Sequence, residues 1–345
     1  MNKPEIMQRG RFNFPVAVGQ RAAIGLALLV FVGAVAGACN IPVFRYALER
    51  WKPDQAELVI FHDAPLTESQ QTLAEKLTRA TVAKDQGTLN AEVRFVNVIK
   101  NSGDELTDLW RSWNEQGKPL QLPMVLARTK VARGKRVNHF HGPLEDQTVT
   151  QFLQSPIRRQ LRERLLAGHS VVWLLVRGKN EPQNQAARNT LNETMRQLER
   201  TIELPEGIGL PGSELYADTP LVVQFSLLEM DANDARERML ASLLTGIRKQ
   251  AFEEGQPLLV PVFGRGRALE VIPGEDLSAG LISELTRFLS GACSCQVKEQ
   301  NPGFDLMIAA DWDQELFGGS QNRPPDRSSQ EGQNREPEYV PIPPG

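Results

Sequence analysis

Two cysteines near the end of the last strongly patterned helix are the residues best suited to chemistry in this chain of 345 residues. They are Cys293 and Cys295, in the stretch SGACSCQVKEQNPG. A thiol pair can serve as a redox centre, as a disulfide or as ligands of a metal ion. In an extended strand the two Cα atoms would be about 6.6 Å apart, at the upper limit of disulfide geometry. Structural thiols, a structural disulfide, redox use and metal binding therefore remain open.

Histidines are the next candidates for metal binding or acid–base chemistry. His139 and His141 are two residues apart on a predicted strand and are expected to face the same side, while His62 ends another predicted strand. If a third strand separates these two, their spacing of about 9.6 Å is too wide for one ion held by all three. His62 and Asp63 form a possible acid–base pair, but no nucleophile follows in a recognisable motif. We therefore predict no catalytic residue, no metal and no cofactor.

Three charged groups offer further sites. The stretch GRGR at 264–267 contains two guanidinium groups that could hold an anion, although glycines at a predicted hairpin favour backbone geometry as the explanation. Asp311 and Asp313 provide a weak cation site. A third group is a basic cluster that is expected to be a solvated helix face, with contact to lipid headgroups as the alternative: Arg158, Arg159, Arg162 and Arg164.

The N-terminal residues predict membrane attachment. A basic leader at 1–21 precedes an uncharged run from Ala22 to Ala38, which would be about 25 Å long as a helix, and the predicted anchor segment covers 22–39. This length fits either a signal-peptide core or a short transmembrane helix. Basic residues before the run favour a cytoplasmic N-terminus, which places the rest of the chain on the extracytoplasmic side of the membrane.

The end of this run resembles a bacterial lipobox. Ala36-Gly37-Ala38-Cys39 places small residues before a cysteine that becomes acylated after cleavage in lipoproteins, but Ala36 replaces the usual Leu or Val. The resemblance implies lipidation at Cys39. An uncleaved helix with a cysteine at its outer end is the alternative, and a freely secreted product is the third.

Composition limits the partners of the chain. The net charge is −3, with nearly equal numbers of acidic and basic residues, so no general attraction to nucleic acid is expected. Three cysteines are too few for a disulfide framework. The length suits two domains of ordinary size.

The first half of the chain alternates strand and helix patterns. LVIFHD at 58–63 predicts a buried strand, and AEVRFVNVI at 91–99 predicts a second, each followed by a helix with capping-box spacing. The segments 122–129 and 136–142 predict a hairpin, and a helix follows from about residue 145. This order predicts one α/β domain over residues 55–155.

This order resembles the thioredoxin-like fold, and Pro123 before the third strand carries the detail of the resemblance. In that family such a proline is cis and faces the active end of the domain. The same order of patterns recurs over residues 168–315, and Pro257 again precedes a predicted hairpin. The predicted architecture is therefore α/β, with two tandem thioredoxin-like domains after an N-terminal hydrophobic helix. DLMIAADWDQELF at 305–317 predicts a final strand, and the proline-rich, polar segment 318–345 predicts a disordered tail.

The thiols of redox thioredoxins are missing at the matching positions. Asp63-Ala64-Pro65-Leu66 stands in place of Cys-x-x-Cys in the first predicted domain, and RGKNEPQNQ in the second has no cysteine. We therefore expect a membrane-anchored, non-redox protein that binds a protein partner or assists a membrane complex. A thiol oxidoreductase that uses Cys293 and Cys295, and a ligand-binding component of a transport system, are the alternatives.

Overall fold

A computed structural model describes residues 40–82, 88–100, 103–115, 121–131, 135–293, 298–318 and 323–325. The fold is mixed α/β and contains two separate sheets. The strands are β1 (Ala56–His62), β2 (Ala91–Asn97), β3 (Met124–Lys130), β4 (Arg136–Pro143), β5 (Val171–Arg177), β6 (Phe225–Asp231), β7 (Leu258–Phe263), β8 (Arg267–Ala268), β9 (Ile272–Pro273) and β10 (Phe304–Asp305).

The helices follow the periodic apolar positions of the sequence. They are α1 (Val43–Arg50), α2 (Glu68–Val82), α3 (Glu105–Glu115), α4 (Asp146–Leu153), α5 (Pro156–Leu166), α6 (Glu181–Thr201), α7 (Arg238–Ile247), α8 (Lys249–Glu253), α9 (Ala279–Ser290) and α10 (Trp312–Phe317). Among the described residues no helix is long and apolar enough to cross a bilayer. The predicted anchor at 22–39, its leader at 1–21 and most of the predicted tail lie outside the described residues.

The first sheet has the order β2-β1-β3-β4. β1 pairs with β2 in parallel and with β3 antiparallel, so β1 lies inside the sheet and its Leu-Val-Ile-Phe stretch is completely buried. Helices α2 and α4 pack on one face, where Leu77 and Phe152 belong to the same core, and α3 covers the other. We call residues 56–153 the first lobe.

The second sheet has the order β10-β8-β7-β5-β6, and β9 also pairs with β7. β5 again pairs in parallel with the next strand, β6, and antiparallel with β7. All six apolar residues of β5 from Val171 to Val176 are buried, as expected for a strand covered on both faces. This sheet with its helices, residues 156–317, is called the second lobe.

The segment that follows the predicted anchor is an integral part of the second lobe. Ile41 and almost the whole of α1 are buried, and the backbone N–H of Val43 donates to Gly291 O at 3.0 Å. The N–H of Cys293 donates in turn to Ile41 O at 2.9 Å. Helix α1 also contacts α9 and β7. The segment from Ile41 to Glu49 therefore belongs to the buried core of the second lobe.

The end of the second lobe differs from the expectation. A strand was predicted over 305–317, but extended pairing stops at Asp305 and α10 occupies Trp312–Phe317. The side chain of Asp311 caps this helix by accepting a hydrogen bond from the N–H of Gln314 at 3.1 Å. The acidic residues that looked like a strand end are therefore a helix start, because an aspartate at the N-cap satisfies an otherwise unpaired N–H.

The two lobes share buried contacts. Met239 of α7 and Met307, which precedes α10, both pack into the core of the first lobe. Val131 and Val137 of the first lobe pack in turn against the core of the second. Because each lobe contributes apolar side chains to the core of the other, the junction between them is filled with side chains.

Candidate functional site

Of the three cysteines in the chain, Cys293 lies among the described residues. Cys293 is 1% exposed, next to the extended segment at Ile41. Cys295 and Cys39 lie outside the described residues, so the predicted disulfide and the predicted lipidation remain predictions. Burial of Cys293 restricts the access of any protein disulfide to its sulfur, which a redox role requires.

The structure places the two histidines of β4 on different sides of the strand. A β-bulge between Ala127 and Arg128 makes His139 an extra residue opposite β3, so the expectation that His139 and His141 face the same side is wrong. His139 is buried and its Nε2 lies 3.0 Å from Thr129 Oγ1, whereas His141 is exposed and stacks on Trp113 with ring centroids 5.4 Å apart. No group of three or more metal-binding side chains occurs among the described residues.

His139 is the most strongly perturbed titratable group at the junction of the lobes. Burial, reinforced by the positive charge of Arg158, lowers the pKa of His139 to about 3. Its imidazole is therefore neutral at physiological pH. Ser242 of α7 donates its hydroxyl proton to the backbone carbonyl of His139, which ties β4 to the second lobe.

Arg158 lies inside the molecule, so the prediction of a wholly solvated basic face on α5 is wrong. Its guanidinium donates to Met307 O at 2.6 Å, Phe152 O at 2.6 Å and Gln151 O at 3.2 Å. Burial lowers the pKa of Arg158 to about 10, and the nearby carboxylate of Glu237 opposes this shift. The side chain still carries its charge at neutral pH and joins three segments of chain.

The buried carboxylate near Arg158 holds the start of α5. Glu237 accepts hydrogen bonds from Ser155 Oγ at 2.5 Å and from Ile157 N at 2.8 Å. Ser155 is the N-cap of the helix, and its hydroxyl also accepts from Arg158 N at 3.0 Å. This acid therefore satisfies the unpaired N–H groups of a helix N-terminus and is not presented to a substrate.

The arginines of the GRGR stretch contact the protein itself. Arg265 donates to Leu48 O at 2.7 Å and to Glu49 O at 2.9 Å, and its Nη1 lies 2.8 Å from a carboxylate oxygen of Asp313. These contacts place a cation on the carbonyl end of α1, where the helix dipole favours positive charge. Arg265 of the candidate anion site and Asp313 of the candidate cation site therefore form one ion pair, in which Arg265 is buried and Asp313 is 43% exposed.

Arg267 is engaged in a second internal network. Its Nη1 lies 3.5 Å from Asp305 and 3.6 Å from Asp54, and Lys298 Nζ contacts the same two carboxylates at 2.5 and 3.1 Å. Burial raises the pKa of Asp305, while the two cations oppose that shift. Two cations and two carboxylates balance one another here, so the cluster has no net charge to attract an ion.

The end of the first sheet near Pro123, which is half-buried, carries the candidate pair His62 and Asp63. The Leu122–Pro123 peptide bond is cis, as the resemblance implied. His62 Nδ1 lies 3.0 Å from Ala64 O within its own turn, and Asp63 is exposed. The described geometry brings no nucleophile to this pair.

Exposed apolar side chains divide into two groups. Among the described residues six large apolar side chains are substantially exposed, three in the first lobe and three in the second. The first-lobe residues are Val82, Phe95 and Ile99, and the second-lobe residues are Leu210, Val222 and Phe288.

The outer edge of β2 is the better-defined apolar surface of the first lobe. β2 pairs only with β1 among the described strands, so within the part of the chain that the structure describes its other edge has no strand partner. Phe95 is 48% exposed and Ile99 is 70% exposed. We call the backbone of β2 with these two side chains the β2 edge surface.

Sequence reasoning predicted β2 but not this exposure. Val93 and Phe95 alternate with Arg94 and Val96, so both faces carry an apolar residue and the pattern does not indicate which one is covered. The exposure of Phe95 follows from the position of β2 at the edge of the sheet. That position is set by long-range strand pairing, which a local pattern does not reveal.

Comparisons with known proteins add no family. No protein-family model matches the chain, and no curated protein matches it.

Proposed function

We propose that this chain is a membrane-anchored extracytoplasmic protein whose first lobe binds a protein partner, without catalysis of its own. The observation that carries the proposal is the β2 edge surface, where a strand edge with no partner among the described strands lies beside exposed Phe95 and Ile99. An extended segment of a partner can add to such an edge through backbone hydrogen bonds, while apolar side chains supply specificity.

The burial and the contacts of the titratable groups support partner binding over catalysis. Glu237, Arg158, Arg265 and Asp305 are all buried and engaged in contacts that hold chain segments together. An active site needs such groups to converge on a place that substrate can reach. In the part of the chain that the structure describes, their contacts are with the protein's own backbone and counter-ions.

Membrane attachment in this proposal rests on the uncharged run from Ala22 to Ala38 and the basic residues before it. The alternatives at Cys39, lipidation or an uncleaved helix, both tether residue 40 to the membrane.

We further propose that each sheet belongs to a thioredoxin-like domain. The two sheets share the order in which the first strand is internal, the second joins it in parallel and the third joins it antiparallel. The cis bond at Pro123 adds support in the first lobe. A fold of this kind without its thiols is a binding scaffold, and this analogy is at the level of fold only.

The thiol-oxidoreductase alternative is weakened by the burial of Cys293. The transport alternative needs a ligand cleft between the domains, and the described junction is instead filled by Met239, Met307 and His139. Neither alternative has an observation that favours it over partner binding.

Site-specific photocrosslinking in native membranes tests the proposal. A photoreactive amino acid at position 95 or 99 of the full chain should give a discrete protein adduct on irradiation. The same amino acid at position 185, on the exposed face of α6, is the matched control and should give none. Addition of Phe95→Asp to the position-99 protein should strongly reduce the adduct. If both positions yield no adduct, or if position 185 yields the same one, the proposed binding surface is wrong.

A further inference from the structure

Partner binding at the β2 edge surface does not account for the three exposed apolar residues of the second lobe. One of them, Leu210, belongs to a loop that contacts Asn40. The backbone N–H of Asn40 donates to Ser213 Oγ at 3.0 Å. Ser213 ends a loop, residues 207–213, whose sequence is GIGLPGS. Leu210 at its tip is 61% exposed.

The loop is a built structure rather than a loose connection. Its backbone closes on itself through hydrogen bonds from Gly209 N to Ser213 O at 2.8 Å and from Ser213 N to Leu210 O at 2.8 Å. Gly207, Gly209 and Gly212 all have positive φ, which side-chain-bearing residues rarely adopt. This backbone holds Leu210 outward instead of letting it fold onto the protein.

A second exposed apolar side chain lies in the last turn of a helix whose following residues pair with the same segment. Phe288, in the last turn of α9, is 41% exposed. Gly291, three residues later, accepts the hydrogen bond of Val43 N, and Pro42 pairs with Ala292. The first residues of the folded body thus run between the loop with Leu210 and the end of α9.

From these positions we infer that the 207–213 loop contacts the lipid bilayer, with Leu210 inserted among the acyl chains and Phe288 at the headgroup level. The inference rests on the membrane anchor of the proposed function. The uncharged run ends at Ala38, and two residues of chain span at most about 7 Å. Each interfacial layer is itself about 5 to 8 Å thick. A bilayer that holds this run, or an acylated Cys39, therefore lies within reach of the loop.

Charges around the loop limit the depth of insertion. Glu206 and Glu214 flank it, and Glu214 accepts a hydrogen bond from Gly212 N at 2.9 Å. A carboxylate is costly in hydrocarbon, so only the tip at Leu210 and Pro211 enters the acyl region. The loop then acts as a second, shallow contact that fixes the orientation of the second lobe beside its anchor.

Labelling with photoactivatable lipids tests this contact in the full chain. The protein is reconstituted in phosphatidylcholine–phosphatidylglycerol vesicles that contain a lipid with a diazirine in its acyl chain, irradiated and digested, and lipid adducts are counted for each peptide. We expect adducts on the peptide that contains 22–39 and on the one that contains 207–213. The peptide that contains Ile99, a more exposed apolar residue of the first lobe, should carry background labelling only.

Leu210→Asp should lower labelling of the loop by at least about tenfold, because loss of leucine burial alone corresponds to more than that factor. Labelling of 22–39 should be unchanged. Ile99→Asp is the matched control and should leave the loop adducts unaltered.

The outcomes separate the two hypotheses. Labelling of 22–39 without the loop overturns this inference and leaves the membrane anchor standing. Absence of labelling from every peptide overturns both. Equal labelling of the loop and the Ile99 peptide shows non-selective contact and also overturns the inference.

Discussion

Arg45 and Glu49 form an ion pair of 2.8 Å within one turn of α1, and their side chains are 1% and 0% exposed. Arg45 also donates to Ala217 O at 2.6 Å and to Thr219 O at 2.7 Å. Glu49 accepts in return from the backbone N–H groups of residues 216 and 217. The pair therefore fastens the first helix of the folded body to a loop more than 160 residues away in sequence.

Loss of one member of this pair should be strongly destabilising. Glu49→Gln leaves the guanidinium of Arg45 buried without its counter-charge, and we expect a loss of about 3 kcal/mol in the free energy of unfolding. Glu163→Gln is the matched control, because Arg159 and Glu163 have the same spacing on a helix but side chains that are 68% and 61% exposed. That change should stay within about 0.5 kcal/mol. Denaturant unfolding of the full chain in detergent measures both, and equal effects would contradict the prediction.

The neutral imidazole of His139 should make stability depend on pH. The pKa of this group is lowered from 6.5 to about 3 in the folded state, so the unfolded chain binds the extra proton first as pH falls. The contribution is fully present above about pH 6.5 and is lost toward pH 3, at roughly 1.4 kcal/mol per pH unit. His139→Gln should remove this part of the slope. The measurement is the unfolding midpoint of the wild-type chain and of His139→Gln at several pH values. If the two midpoints change in parallel below about pH 6, the prediction is wrong.

Local patterns predicted most elements of the two sheets because their apolar periods are long and clear. The strand predicted at 91–99 occupies Ala91–Asn97, and the helix predicted from about residue 145 occupies Asp146–Leu153. Strong alternation or a helical stripe reflects one buried face, and such a face is visible without tertiary information.

Helix α1, which is buried along almost its whole length, was not predicted. This helix has no clear polar face, because Arg45 and Glu49 are buried as a pair and its partners come from residues 216–219 and 264–265. Arg158 was misplaced for the same reason, since three backbone carbonyls from other segments replace the water that a charged helix face normally contacts. The β-bulge that places His139 and His141 on different sides of β4 is not revealed by the sequence.

The hairpin glycine beside α1 gives a test of this packing. Gly264 has φ +57°, and a Cβ there would lie 2.7 Å from Ala47 Cβ. Gly264→Ala should therefore destabilise the fold by about 2 kcal/mol, through backbone strain and a clash with the helix. Gly246 lies in α7 with no atom within 4 Å of an added Cβ, so Gly246→Ala should stabilise by up to about 1 kcal/mol. Thermal unfolding of both variants checks the sign of each change, and a neutral Gly264→Ala would show that α1 can shift.

Cys293 should behave as a structural thiol. Because it is 1% exposed, peptide-mapped alkylation of Cys293 in the native chain should be much slower than in denaturant. Cys293→Ser places a hydroxyl in a site built for sulfur and should cost about 1 to 3 kcal/mol in unfolding free energy. The folded variant should keep the photocrosslink from position 99. An insulin-reduction assay separates this role from catalysis: activity above background in the wild-type chain that disappears in Cys293→Ser, or in Cys295→Ser, would establish a redox pair and displace partner binding as the leading function.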